Sequence, residues 1–235
     1  MKALIPKALR QAVYNRTRWV RYLRARLGAY PTRSFSQHAE DCRAEAALGR
    51  VQTFVDVGAH DGFNGSNTFR FALQGARGVC IEPVTQQFLR LQSLHRFNPR
   101  VVCVQTAISD SPGVADIVVA DARSHLAANA PPAPGTRVQR VPLVRLDALL
   151  AQLAWSGPID LLSVDVEGHE LAVLRSHDWQ RYPVRALILE THYEPTPGHR
   201  AWTHADIVPI EALLADLGFT LLAHTPANTV YIRST

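Results

Sequence analysis

Asp165, Glu167, His169 and Glu170 crowd three carboxylates and an imidazole into six residues, at the end of the apolar run 158–166. Acidic side chains at the end of a buried strand suit proton abstraction. A neutral hydroxyl must lose its proton around the transition state, and a positioned base assists. Glu190-Thr191-His192 ends a second apolar run. The two-residue period of a strand puts Glu190 and His192 on one face. An unperturbed imidazole titrates near ~6.5, which suits a base at neutral pH. Asp165, Glu167, Glu190 and His192 are thus the catalytic candidates. Plainer readings stand beside these. Glu190 and His192 are also what a strand carries as it leaves the core. Glu170 is also an acidic residue favoured at a helix start, and His169 an ordinary, partly exposed helix residue. The four candidates are donors of the kind that divalent metals take, but their spacing does not define a site, and metal involvement stays open.

A second group lies earlier. Asp56-Val57-Gly58-Ala59-His60-Asp61-Gly62 follows a strand-like run, and Glu82 ends the next one, 26 residues after Asp56. In parallel α/β sheets, ligands sit at the carboxyl ends of strands near the point where strand order reverses. A glycine there lets backbone N–H groups approach a ligand, and an acidic tip on the next strand accepts both hydroxyls of a ribose. A glycine after a strand is by itself only a turn; the pair at successive strand ends points to a nucleoside. The dinucleotide pattern G-x-G-x-x-G is broken, because His60 and Phe63 stand where its second and third glycines would be. A nucleoside with a zwitterionic amino-acid tail fits better than a pyrophosphate. Ser66, Asn67 and Thr68 near the following helix start could hold its carboxylate, or merely cap the helix. Asp56, Gly58, His60, Asp61, Asn67, Glu82 and the adjoining Pro83 form the candidate cofactor set, with Asp165 shared between the two groups.

The elements that must position these residues follow from the pattern. Apolar runs at 51–57, 77–83, 100–108, 158–166 and 184–191 alternate with helical stretches, which implies a parallel sheet with helices on both faces. Shorter strands are expected at 116–120 and 137–144, helices over 66–75, 84–96, 147–154 and 210–218 and from about residue 168, and a terminal hairpin from 219–224 and 228–234. The chain has 235 residues, 47% hydrophobic and 19% charged, enough for one sizeable domain. Its net charge of +5 comes from one end: residues 1–33 hold nine Lys or Arg and no acidic residue, and the rest has more acidic than basic side chains. The expected organisation is a basic helical arm over 1–33 and a catalytic domain over 34–235. Between residues 6 and 27 an amphipathic helix is expected. It groups Val13, Trp19, Val20, Leu23 and Leu27 on an apolar face, with Arg18, Arg21 and Arg24 opposite. That arm suits an anionic membrane surface or a partner subunit, and is expected to be dispensable for cofactor binding. The acidic body argues against nucleic acid. Three scattered cysteines give no disulfide or zinc framework, and no run approaches the ~20 apolar residues of a membrane span. A cytoplasmic protein is expected, with the inner membrane surface as a peripheral location.

The motifs together resemble the FkbM family of S-adenosylmethionine-dependent methyltransferases. The likeness runs from about residue 35 to 232 through SQHAED (36–41), VDVGAHDG (55–62), CIEP (80–83), TAISD (106–110) and LLSVDVEGHELAVL (161–174). It implies a Rossmann-like sheet of seven strands, the last antiparallel. It also implies that Gly58, Glu82 and the Ser109–Asp110 region contact the cofactor. Members commonly methylate hydroxyls on sugars or natural products, so a small-molecule or glycan hydroxyl is the expected acceptor. Many members carry Lys two residues before the Asp of D-x-E-G; this chain has Ser163. The segments 121–136 and 193–205, with His125, Asn129, His199, Arg200 and Trp202, lie where acceptor loops are expected. An amine acceptor and a non-catalytic binding module are the alternatives; a nicotinamide enzyme is disfavoured by His60.

Overall fold

The structure is a computed structural model and describes residues 13, 17–30, 34–120, 124–127, 134–191 and 204–233. Five central apolar runs become a sheet because pairing buries most of their apolar side chains, with Val102 of the edge strand left exposed. β1 (Thr53–Val57), β2 (Arg77–Ile81), β3 (Val101–Val104), β8 (Ile159–Val164) and β9 (Val184–Glu190) pair in parallel, in the order β3-β2-β1-β8-β9. β11 (Asn228–Arg233) joins β9 antiparallel, and β10 (Phe219–His224) completes the seven strands beyond it. β8 is buried at all six positions. Its alternate side chains serve two cores: Leu162 and Val164 join Val55 and Val57 on one face, and Leu161 joins Phe54 on the other. Helices α1 (Trp19–Arg26), α2 (Glu40–Leu48), α3 (Phe69–Leu73), α4 (Thr85–Leu94), α5 (Leu146–Gln152), α6 (Glu170–Arg175) and α7 (His204–Asp216) complete the described elements.

The run 100–108 does not remain one strand. β3 ends at Val104, and Ala107–Ile108 form β4 in a second sheet of order β4-β7-β5-β6. β5 is Gly113–Val118, β6 His125–Leu126 and β7 Val138–Val144. The break falls at Gln105 and Thr106. Thr106 Oγ1 donates to the Pro142 carbonyl at 3.1 Å, turning the chain toward β7. This small sheet packs Ala107, Ile117, Leu126 and Val141 against Val84. Gln139 ties it to the tip of β2, accepting from Thr85 N and donating to the Pro83 carbonyl.

The arm also departs from expectation. The buried face of α1 carries Arg18 and Tyr22, while Val20, Leu23 and Leu27 of the expected apolar face are exposed. Tyr22 packs edge-on against Phe69, and Trp19 against Phe97. Aromatic contact area and a buried partner for Arg18 outweigh the apolar stripe in choosing which face docks.

Candidate active site

The carboxyl ends of β1, β2, β8 and β9 border one cavity of about 430 Å³ at the switch point. Gly58 makes the crevice closable. Its φ is +85°, and a Cβ there would lie 1.7 Å from the Asp165 carbonyl oxygen, so no side chain fits. The amides of Gly58 and Ala59 do not serve a ligand, because both donate to the Ile81 carbonyl at 3.0 Å. The glycine matters through the missing side chain rather than through free N–H groups.

Glu82 is fixed from both sides: Oε2 accepts from His60 N at 2.9 Å and Oε1 from Val84 N at 2.8 Å. Burial pushes its carboxyl up to about 7. Asp56 shares the sheet face of Phe54 by alternation and accepts from Thr68 Oγ1 at 2.6 Å. Burial pushes it up to about 6, and Asp165 adds repulsion. Asn67 donates from Nδ2 to Ser163 Oγ at 3.2 Å. The Asn67 Oδ1 is buried with no partner, an acceptor waiting on the cavity wall.

Asp165, Glu167 and Glu190 bring carboxyl oxygens within 4.8 Å of one another. Glu167 holds φ +54°, which turns its amide toward Glu190 Oε2 at 3.2 Å. Burial, then Asp165, Glu167 and Glu170, push the Glu190 carboxyl well above the usual carboxylate range. Glu170 turns back from its helix start to accept the Val166 and Gly168 amides, stapling the D-x-E-G turn. His169 faces the cavity and contacts Ser109 Oγ at 3.1 Å.

Of the sequence candidates, Asp56, Gly58, His60, Asn67, Glu82, Pro83, Asp165, Glu167 and Glu190 line this cavity. Asp61, Ser109 and Asp110 do not. Asp61 faces Arg18 on the far side of its loop. Ser109 stands behind His169. Asp110 follows β4 into the second sheet, where its carbonyl accepts from Arg145. His192, Asn129, His199, Arg200 and Trp202 lie outside the described residues. The wall also has residues the sequence reading left without a role. Gln37 and His38 reach it because Asp41 folds the preceding turn, accepting from Ser34 Oγ, Phe35 N and Ser36 Oγ. Asn228 reaches it because β11 sets it opposite Glu190. The SQHAED motif was the available signal for the first pair. Only the pairing of β11 with β9 reveals Asn228.

The described lining holds five carboxyl groups and neither Lys nor Arg. Such a wall favours a cation. The unpaired Asn67 oxygen, the anchored Glu82 and the side-chain-free Gly58 fit a nucleoside with a positively charged tail. The strand order and the acid-lined crevice define a class I, Rossmann-like methyltransferase fold. The sequence matches the methyltransferase FkbM domain over residues 56–221, and the chain belongs to that family of S-adenosylmethionine-dependent methyltransferases. Among solved structures, the O-methyltransferase from Bacillus cereus in complex with SAH aligns at a TM-score of 0.50 and 13% identity, covering 98% of this chain and 94% of that one. A candidate O-methyltransferase from Klebsiella pneumoniae aligns at 0.50 and 12%, covering 100% and 94%. Both show the fold. Monomeric WbdD aligns at 0.44 and 17% over 83% of this chain, which spans 39% of the WbdD chain. No curated protein matches the sequence.

Proposed function

We propose that this chain transfers the methyl group of S-adenosylmethionine to a hydroxyl of a sugar, glycan or similar polar metabolite. The cofactor supplies an electrophilic methyl on a sulfonium. Glu82 accepts the ribose hydroxyls, the apolar end formed by Ile81, Ile108, Ile117 and Leu126 receives the base, and Asn67 Oδ1 accepts from the amino-acid tail. The observation that carries the reading is the carboxyl cluster of Asp165, Glu167 and Glu190 on the same wall. As the acceptor oxygen bonds to the methyl carbon and the carbon–sulfur bond breaks, the hydroxyl proton must go to a base. Glu167 is assigned that role. Glu190 positions it instead, through the hydrogen bond its Oε2 accepts from the Glu167 amide. An amine acceptor is the second reading, favoured by the same negative wall.

Mass spectrometry of products from a panel of hydroxyl and amine acceptors, with isotope-labelled methyl donor, tests the assignment. Methylation at oxygen is expected, with Glu167→Gln lowering turnover by about 10²–10⁴-fold and leaving cofactor affinity nearly unchanged. Wild-type turnover in that variant removes Glu167 from the chemistry. Activity lost to a chelator and restored by magnesium or manganese moves the three carboxylates to metal binding.

A further inference from the structure

Asp61, inside the loop after β1, turns away from the cavity and meets Arg18 at the start of α1. Arg18 Nη2 lies 2.7 Å from Asp61 Oδ2, with the two side chains 1% and 3% exposed. The arginine is anchored by its backbone, since Arg18 N donates to Ser93 Oγ at 3.1 Å. The remaining capacity of Asp61 holds the next turn. Oδ1 accepts from Phe63 N at 2.9 Å and Asn64 N at 3.0 Å, and Oδ2 accepts from Asn64 Nδ2 at 2.7 Å. Asp61 Oδ2 thus accepts from Asn64 while in charge contact with Arg18, and Asn64 and Gly65 form part of the cavity wall. Burial pushes the Asp61 carboxyl up, but Arg18 and the Asn64 and Phe63 amides outweigh it and hold it below its ordinary value. A buried carboxylate that loses its cation is left uncompensated and must protonate or move. Protonation at Oδ2 weakens the hold of Asp61 on Asn64, and movement of the carboxyl breaks its bonds to the turn altogether.

We propose that Arg18 is a positioning residue for the cofactor, fixing through its buried ion pair with Asp61 the 62–65 turn that walls the cofactor cavity. The proposal rests on the reading of this cavity as the S-adenosylmethionine site. It runs against the expectation that the arm is dispensable for cofactor binding: on this proposal α1 supports the site although none of its described residues lines the cavity. The reacting carboxyl groups stand at the carboxyl ends of β8 and β9 rather than in this turn, so loss of Arg18 should raise the KM for the methyl donor far more than it lowers kcat.

The test uses the full chain and S-adenosylhomocysteine as probe. Calorimetric affinity and thermal midpoint are measured for wild type, Arg18→Met, Arg18→Lys, Asp61→Asn, the Arg18→Met/Asp61→Asn pair and Trp19→Ala. Trp19 lies on the same helix but packs on Phe97, away from the turn. Arg18→Met is expected to weaken binding by about 5- to 150-fold, the usual range for coupling between separate positions. Arg18→Lys should recover part of the loss, and the double variant should be no weaker than the worse single one. Trp19→Ala should lower the midpoint while affinity holds at temperatures where the protein is folded. Wild-type affinity in folded Arg18→Met overturns the proposal, as does an equal affinity loss in Trp19→Ala. If Arg18→Met does not fold, Asp61→Asn carries the test: affinity loss in the same range supports it and wild-type affinity overturns it. A wild-type chain that binds no S-adenosylhomocysteine instead overturns the cofactor reading, and the proposal with it.

Discussion

Glu82 faces opposed demands on its proton. Buried, it favours the neutral acid up to about pH 7. A ribose offers it two hydroxyl donors, which bind the ionised form better. Binding therefore releases a proton on the acid side, and affinity for S-adenosylhomocysteine should rise from about pH 6 to about pH 8, by at most about tenfold per unit. The unliganded fold runs the other way. A carboxyl raised from 4.5 to about 7 stabilises the fold fully below 4.5 and loses that contribution as pH climbs through 7. Calorimetry across this window, repeated on Glu82→Gln, checks the point. The variant should bind about 1.5–3 kcal/mol more weakly at the alkaline end and show a flattened profile. A wild-type affinity independent of pH contradicts the assignment. At this scale, sequence spacing reveals which strand ends carry acids but not which way each acid points. Asp61 follows His60 at φ 49° and precedes Gly62 at φ 74°. Those left-handed turns swing it behind the loop, and residue types alone do not encode the swing. Arg18 was equally opaque, because its partner lies in a different element.

The main strands are legible because each is a continuous apolar run bounded by polar or turn residues. β4 was not, since Ala107 and Ile108 look like more of the same run; what separates them is a Thr106 hydrogen bond to a distant carbonyl. α2 escaped the reading because its mixed sequence has little amphipathic period, yet it holds buried Glu40 and Asp41. Of the apolar face expected for α1, Trp19 packs on Phe97 while Val20 and Leu23, and Leu27 just beyond the helix, stay exposed. The consequence is an exposed stripe of Val20, Leu23 and Leu27, with Leu27 85% exposed, beside the exposed Arg24. Basic side chains around exposed apolar ones suit an anionic bilayer surface. Co-sedimentation with vesicles containing phosphatidylserine is expected, and is expected to fall sharply in Leu23→Glu/Leu27→Glu. Equal sedimentation of both proteins would place the contact elsewhere. No helix among the described residues is long and apolar enough to cross a membrane.

For the molecule as a whole, strand order decides where a cofactor enters, and the lining of the crevice decides which. The reversal between β1 and β8 opens a crevice whose described lining has no Lys or Arg to meet a pyrophosphate. S-adenosylhomocysteine at a hundred times its Kd should stabilise the fold by about 2.7 kcal/mol, raising the thermal midpoint of a chain this size by about 5–10 °C. NAD at the same concentration should leave it unmoved. An equal shift with NAD would contradict the specificity argued from the broken glycine pattern.

Gln52 donates its amide to Asp160 across 108 residues of sequence, and the same distance in time separates the two halves of the crevice during synthesis. The glycine loop leaves the ribosome long before the Asp165 carbonyl against which Gly58 must lie, and Glu190 and Asn228 emerge later still. A nascent chain, or a fragment cut ahead of β8, has one wall of the cavity and nothing opposite it. On the proposed reading of this cavity as the cofactor site, cofactor capture is therefore closed to unfinished chains. Metabolite-bound protein is by construction protein whose central sheet is complete, and the cofactor can protect against degradation only those molecules that have already folded.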